Sequence, residues 1–416
     1  MDEMADTKKP GILSDPQNRR HFIIFLVAAV VAVTAFSTGV VSLNHRDAGY
    51  YEVVPLDEQN ALLFDAGISL LYYAEGSSAD IRETLGLAQK AYTAALYNAY
   101  RLLNPDTVWE DVTNLAAISR RAGETVPISR ELCDILAEAL ALTEADAGYS
   151  LYAGPLCREW RNILYLEEPA EADPLRNPEE ARRLALLTEA LAKPESLSLT
   201  LSETEEGCAA CLKVSPELTA LLEEMELDAP LLDLNLLRDA FTLRLVAESL
   251  AAQGFVEGQL SSKSGLYVGL RKTEYGLDLY SPGEGEIVAP ARLQVQGPAA
   301  MVGFTALQTG GSPYGKAEVD GHLRHLWVNH RTGLPGEILL SAVLASGEED
   351  IVTLTALALR LISADSREAL AEAASGTTAA IALITADAPQ LILVSENAAL
   401  LADPDNASVK PLSAVN

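Results

Sequence analysis

Positive charge is scarce in this chain of 416 residues: 30 Lys and Arg stand against 59 Asp and Glu, for a formal net charge of −29. A surface of that sign repels phosphate, which excludes nucleic acid as a partner and disfavours anionic lipid surfaces. Aromatic residues are also few, at 6%, although hydrophobic residues make up 49%. The excess is in Ala and Leu, which excludes a disordered chain and predicts a globular body rich in helix. Cysteine is limited to Cys133, Cys157, Cys208 and Cys211. The Cys208–Cys211 pair lies in Glu205-Glu206-Gly207-Cys208-Ala209-Ala210-Cys211-Leu212-Lys213, which reads as a turn entering a strand, whereas a redox CxxC opens a helix. A small structural disulfide or two buried thiols is the expectation there, and the other two cysteines stand at the wrong spacing to complete a zinc site. No internal repeat of fixed period is visible.

What is present begins with a charge-free run. Phe22 to Leu43 gives 22 residues without a charge, enough for a helix to cross a hydrocarbon core of roughly 30 Å. Lys8, Lys9, Arg19 and Arg20 precede it, so the positive-inside rule places the N-terminus in the cytoplasm and the rest of the chain outside. The run exceeds a usual signal h-region and no Cys follows it for lipid attachment, which predicts an uncleaved anchor. The expected organisation is a cytoplasmic tail (1–21), a transmembrane anchor (22–43), a tether (44–60), one domain (61–395) and a C-terminal tail (396–416). The expected location is the cell membrane, single-pass, with the domain extracytoplasmic.

Along the domain, alternation around Ala61 to Tyr73 predicts a first strand, and Ser78 caps a helix that Asn104 and Pro105 end. Ser129 and the Asn177-Pro178 pair mark two further helix starts, and Leu197 to Leu212 has strand character. Asp233 to Ala252 reads as an amphipathic helix closed by Gly254, followed by short apolar alternations through Leu344. Helices over 351–362 and 367–374 and strands over 379–385 and 391–395 complete the pattern. Strand runs and helix runs are segregated, so the fold class is α+β.

Four segments carry a resemblance. Tyr149-Ser150-Leu151-Tyr152-Ala153-Gly154-Pro155-Leu156, ending at Trp160, is followed by Leu232-Asp233-Leu234, by Thr332-Gly333-Leu334-Pro335 and by Thr355-Ala356-Leu357. In that order they resemble the FAD:protein FMN transferases of the ApbE type, over about residues 60 to 390. The resemblance implies an extracytoplasmic enzyme that cleaves FAD, joins FMN by a phosphoester to a Thr or Ser of a target protein and releases AMP. FAD and Mg²⁺ are the implied cofactors, and a flavin-accepting extracytoplasmic protein the implied partner. A hard cation suits this chemistry because charge develops at phosphorus.

The chemistry-bearing positions depart from that pattern. The family's Leu-Asp-Leu-Gly leads to Ala-Lys-Gly, supplying a carbonyl to the metal and a Lys near the nucleotide. Here Asp239 stands in place of the Lys, with Arg238 beside it as the candidate substitute for cofactor binding. Ser262-Lys263-Ser264-Gly265 replaces a Gly-Gly pair, and Thr309-Gly310-Gly311 replaces Thr-Ser-Gly, its amides candidates to cradle a phosphate. Leu326 to His330 replaces His-Ile-Ile-Asp-Pro, with His325 displaced by one residue and therefore expected on the opposite strand face. Aligned on Thr355, the family's metal-binding Asp falls at Ile351. Asp350 and Thr355 are the candidate metal residues, and Glu348 and Glu349 a solvated first turn. His322, His325 and His330 have odd spacings that oppose a shared ion, and Tyr97 and Tyr100 read as one face of a packed helix, Tyr92 with them as core.

Two functions fit this sequence. One is a working FMN transferase that uses Asp350, Thr355 and the Thr309–Gly311 turn. The other is a non-catalytic flavin-binding or protein-interaction module on the same scaffold. Loss at chemistry-bearing positions beside retained apolar neighbours favours the second.

Overall fold

The computed structural model describes residues 47–56, 63, 66–145, 148–204, 207–307, 315–403 and 407–412; the anchor expected over 22–43 lies outside them. Among the described residues, no helix is long and apolar enough to cross a membrane. The chain divides into two compact units, Met1–Gly49 with Ala74–Leu85 and Tyr50–Tyr73 with Gly86–Asn416. In the described part of the first, Ser77 and Asp80 bond reciprocally: Ser77 N and Oγ both donate to Asp80 Oδ2, at 3.0 and 2.7 Å. This opens helix α1 (Ser78–Leu103), one residue earlier than expected.

In the second unit, strands β1 (Gly49–Val53) and β2 (Ile68–Ala74) come first, so the stretch read as a tether contains a strand. Beyond α1 follow α2 (Leu115–Arg120), β3 (Thr125–Ile128), α3 (Arg130–Glu144), α4 (Gly154–Leu164), α5 (Pro169–Ala172) and α6 (Pro178–Leu191). The hairpin β4 (Leu197–Thr204) and β5 (Gly207–Val214) leads to α7 (Pro216–Glu224) and α8 (Leu236–Ala252). Sequence-encoded caps set several boundaries: Ser129 Oγ accepts from Leu132 N, Asn177 Oδ1 accepts from Glu179 N with Pro178 at N1, and Ser215 Oγ accepts from Leu218 N. Helices α2, α4, α5 and α7 were missed. The first is six residues long, and α4 starts at Gly154 with no side-chain cap to mark it.

The sheet half comprises β6 (Gly258–Ser262), β7 (Leu266–Gly269), β8 (Glu274–Pro282), β9 (Ile287–Gln296), β10 (Ala299–Thr305), β11 (Lys316–Val319), β12 (His322–His325), β13 (Val328–Asn329), β14 (Leu334–Pro335) and β15 (Leu339–Ser346). Then come α9 (Ile351–Ile362), α10 (Arg367–Ala373), β16 (Ala380–Thr385), β17 (Ala388–Val394), β18 (Ala399–Ala402) and β19 (Ser408–Pro411). The last two correct the expected C-terminal tail. β18 pairs with β9 and β19 with β17 through backbone bonds that leave little hydrophobic signature.

A nine-stranded sheet in the order β1-β2-β6-β7-β10-β15-β16-β17-β19 forms the spine, antiparallel throughout its centre. All eight residues of β15 are buried, because α9 packs on one face of the central strands and the β18-β9-β8 sheet on the other. Between the two sheets, Leu279, Leu293, Met301, Val343, Ile384 and Ile392 fill the core. Burial of each such side chain stabilises by about 1.5–3 kcal/mol, which makes this the rigid base of the fold. The mixed architecture is α+β, as the segregation of runs predicts.

Candidate functional site

The segments that are distant in sequence meet in space. Trp160, fully buried on α4, donates from Nε1 to the Gly333 carbonyl at 2.8 Å. Asp233 N donates to Leu151 O at 3.0 Å, and the buried Asp233 carboxylate accepts from Arg161 Nη2 at 3.1 Å and Asn235 N at 2.8 Å. Asn235 occupies the last position of the Leu-Asp-Leu-Gly pattern with φ 48° and ψ −127°, a backbone conformation that glycine adopts most readily. Asn329 Nδ2 donates to Ser363 O at 3.1 Å, tying the Thr332–Pro335 turn to the end of α9. At Gly336 a Cβ would overlap the Ile362 carbonyl, so only glycine permits that approach.

The metal candidates are engaged differently. Asp350 is the N-cap of α9, its Oδ1 accepting from Thr353 N at 2.8 Å. Its Oδ2 lies 3.5 Å from Arg244 Nη1. Arg244, on α8, makes a two-pronged pair with Glu138 of α3 at 3.1 and 2.7 Å and lies over the Phe241 ring at 4.9 Å. Thr355 is fully buried and its hydroxyl donates to Ile351 O at 2.6 Å, back into its own helix. Five positions separate Asp350 from Thr355, so they do not project together as an i,i+4 pair would. Asp350 as it stands does not fit a divalent ion, because a permanent cation sits beside its carboxylate; the Thr355 oxygen keeps its lone pairs but is buried five positions away. Among the described residues, no group of three His, Cys, Asp or Glu side chains could hold a metal.

The residues standing at the family's Lys and Gly-Gly positions form a second network. Asp239 accepts a short hydrogen bond from Ser264 Oγ, which lies 2.7 Å from Ser262 Oγ, which accepts from Leu266 N at 3.2 Å. Burial raises the Asp239 carboxyl above its ordinary range, opposed by Arg238 and the two serines. The residue in place of the family Lys and the residues in place of the Gly-Gly pair are therefore partners. The remaining Gly265 has φ 89° and meets Gly303 of β10 so closely that a Cβ would overlap its carbonyl; packing demands it. Arg238 lines a cavity of about 20 Å³ with Tyr100, Asn104, Asp239 and Thr242, room for a water and not for a nucleotide. The Arg238 carbonyl accepts from Thr242 Oγ1 at 2.8 Å. Thr309, Gly310 and Gly311 lie outside the described residues.

The three histidines are dispersed. His322 pairs with Glu337 at 2.8 Å on the surface, while His325 is fully buried against Phe304 and Trp327, its Nε2 on the Gly336 carbonyl at 2.9 Å. Burial pushes the His325 imidazole down to about 4, the backbone bond opposing and the nearby Lys316 and Arg324 adding to the shift. His330 is half-buried and burial lowers its pKa too. Tyr92 is core, donating to Ile68 O at 2.8 Å, whereas half-buried Tyr97 stacks on the Arg101 guanidinium at 5.0 Å.

The cysteine expectation is corrected. Cys208 bonds to Cys133, 75 positions away, because residues 208 and 211 on strand β5 point to opposite faces. Cys211 is a half-buried thiol, and burial with Asp233 nearby pushes the buried Cys157 thiol up to about 12, so it is no nucleophile. Arg161, Glu138 and Arg244 were not legible. Their partners lie 72 and 106 positions away, and the only local hint is a charged residue beside an apolar helix face.

No family model and no curated protein matches the sequence. Among solved structures, the ApbE protein from Thermotoga maritima matches with a TM-score of 0.55 at 14% identity, over 84% of this chain and 97% of its own. The fold is ApbE-like. The flavin transferase ApbE from Vibrio cholerae, solved as a histidine-to-glycine mutant, matches with a TM-score of 0.51 at 15% identity, over 85% of this chain and 98% of its own. An ApbE-like fold accounts for the order of the four segments and for their convergence at Trp160, Asp233, Gly333 and α9.

Proposed function

We propose that this chain is a single-pass, extracytoplasmic protein that uses the ApbE-like fold as a non-catalytic binding module and does not carry out magnesium-dependent FMN transfer. One observation carries the reading: the Arg244 guanidinium stands beside the Asp350 carboxylate. A guanidinium keeps its charge at all relevant pH values and repels a second cation. The charge-free run over 22–43 and the basic residues before it support the anchor, and the Cys133–Cys208 disulfide suits an oxidising compartment.

The test is to purify the full chain in detergent, add FAD and Mg²⁺, and follow AMP release together with bound-flavin fluorescence. The expected result is no AMP above a no-protein control. Mg²⁺-dependent AMP release that disappears in Asp350→Ala would overturn the reading and restore Asp350 as a metal ligand. Retained flavin without AMP identifies the module as flavin-binding, and no retained flavin directs it to protein partners. For topology, protease added to intact cells should remove the body; protection of the body counts against export.

A further inference from the structure

An open cleft of about 750 Å³ lies in the second unit, and none of its lining residues is among the candidates described above. That volume is within the range of small-ligand sites, roughly 300–1,000 Å³. Its lining includes Arg120 of α2 and Arg158 of α4. Both engage Asp106, Arg158 through the carboxylate and Arg120 Nη2 through the backbone carbonyl at 3.0 Å, so one positive charge is left uncompensated. The lining also carries Glu223, Glu226 and Asp228 on α7 and the turn after it, all exposed. None of the three has an ion-pair partner among the described residues. Leu222, Leu227 and Ala229 supply an apolar wall. The acidic turn is fixed in place: Arg183, paired with the buried Glu159 at 2.5 Å, donates to Met225 O at 3.2 Å, and Leu227 N donates to Leu222 O at 3.0 Å.

We propose that this cleft binds a short basic peptide segment of a partner protein. A Lys or Arg side chain meets the three carboxylates, an apolar side chain lies against Leu222 and Leu227, and backbone carbonyls accept from the Arg120 and Arg158 guanidiniums. A nucleotide suits the cleft poorly, because three unpaired carboxylates repel its phosphates. A polyamine leaves the guanidinium donors without an acceptor. The net charge of −29 draws basic segments toward the whole surface, and the cleft adds the apolar and acceptor-matched contacts that select among them. The proposal is independent of whether the fold transfers FMN.

Fluorescence anisotropy of a fluorescein-labelled, amidated Ala-Lys-Leu-Lys-Ala peptide against the full chain in detergent tests it. Saturable binding that weakens with salt is expected, and the same peptide with Glu in place of Lys should not bind. Glu223→Gln with Asp228→Asn should weaken binding roughly tenfold. Leu222→Trp should block it. Glu284→Gln with Glu286→Gln makes the same charge change on the exposed β8–β9 turn and should leave affinity unchanged. Absence of saturable binding, equal losses in both charge-changed pairs, or displacement of the peptide by AMP would each overturn the assignment.

Discussion

Two regions of this molecule join distant segments in opposite ways. Around Trp160, Gly333 and Gly336 the segments interlock through an indole–carbonyl bond, backbone approach and apolar packing. Around Asp350, Thr355 and Asp239 they meet through charged and hydroxyl side chains, and there those three side chains are bonded within the protein. The first region needs shape and tolerates little change; the second needs only electrostatic balance, which several residue sets supply. The comparison teaches that one fold can join its segments by shape in one place and by paired polar side chains in another.

The largest expected effect breaks the first region. Trp160→Ala removes a fully buried side chain and orphans the Gly333 carbonyl, and should cost about 4 kcal/mol in chemical denaturation. A loss below about 1 kcal/mol would remove the junction as a structural keystone. Next is a pH effect beside that junction. The folded His325 binds its proton only near 4, against an ordinary 6.5, so between these values the unfolded chain takes up the proton and the folded chain does not. Stability should therefore fall as pH drops from 6.5 toward 4, by about 3 kcal/mol in total from this group. His325→Phe should flatten that part of a stability–pH curve, and an unaltered slope would assign the acid sensitivity elsewhere.

The disulfide sharpens the comparison from outside both regions. Cys133→Ala with Cys208→Ala should lose about 3 kcal/mol, measured by thermal unfolding, through release of a long loop in the unfolded chain. Smallest is the electrostatic end. Arg244→Met should change stability by no more than about 1 kcal/mol, since the pair is partly exposed. It leaves Glu138 and Asp350 without their cation, so Mg²⁺ should raise the Tm of the variant and not of the parent chain. A parent Tm that rises equally with Mg²⁺ would contradict the closed site.

How much was legible follows from the range of each interaction. Ser129, Asn177-Pro178 and Gly254 mark helix ends from their neighbours alone, and the helix at 351–362 starts and ends where its apolar spacing indicates. Strands β1, β18 and β19 were invisible because their bonds are made by the backbone, whatever the side chains. At the candidate site, Asp239 in place of a Lys and serines in place of glycines each read as a loss. Only the structure shows that they bond to each other across 25 positions.

The sequence by itself determined the helix caps, the segregation of helix from strand and the order of the segments that meet at Trp160, because these depend on spacing along the chain. Tertiary structure alone decided that Cys208 joins Cys133, that Arg244 stands beside Asp350 and that Asp239 faces Ser264. Each of those pairings depends on which faces of distant elements are brought together, and a side chain's neighbours in the chain carry no record of that.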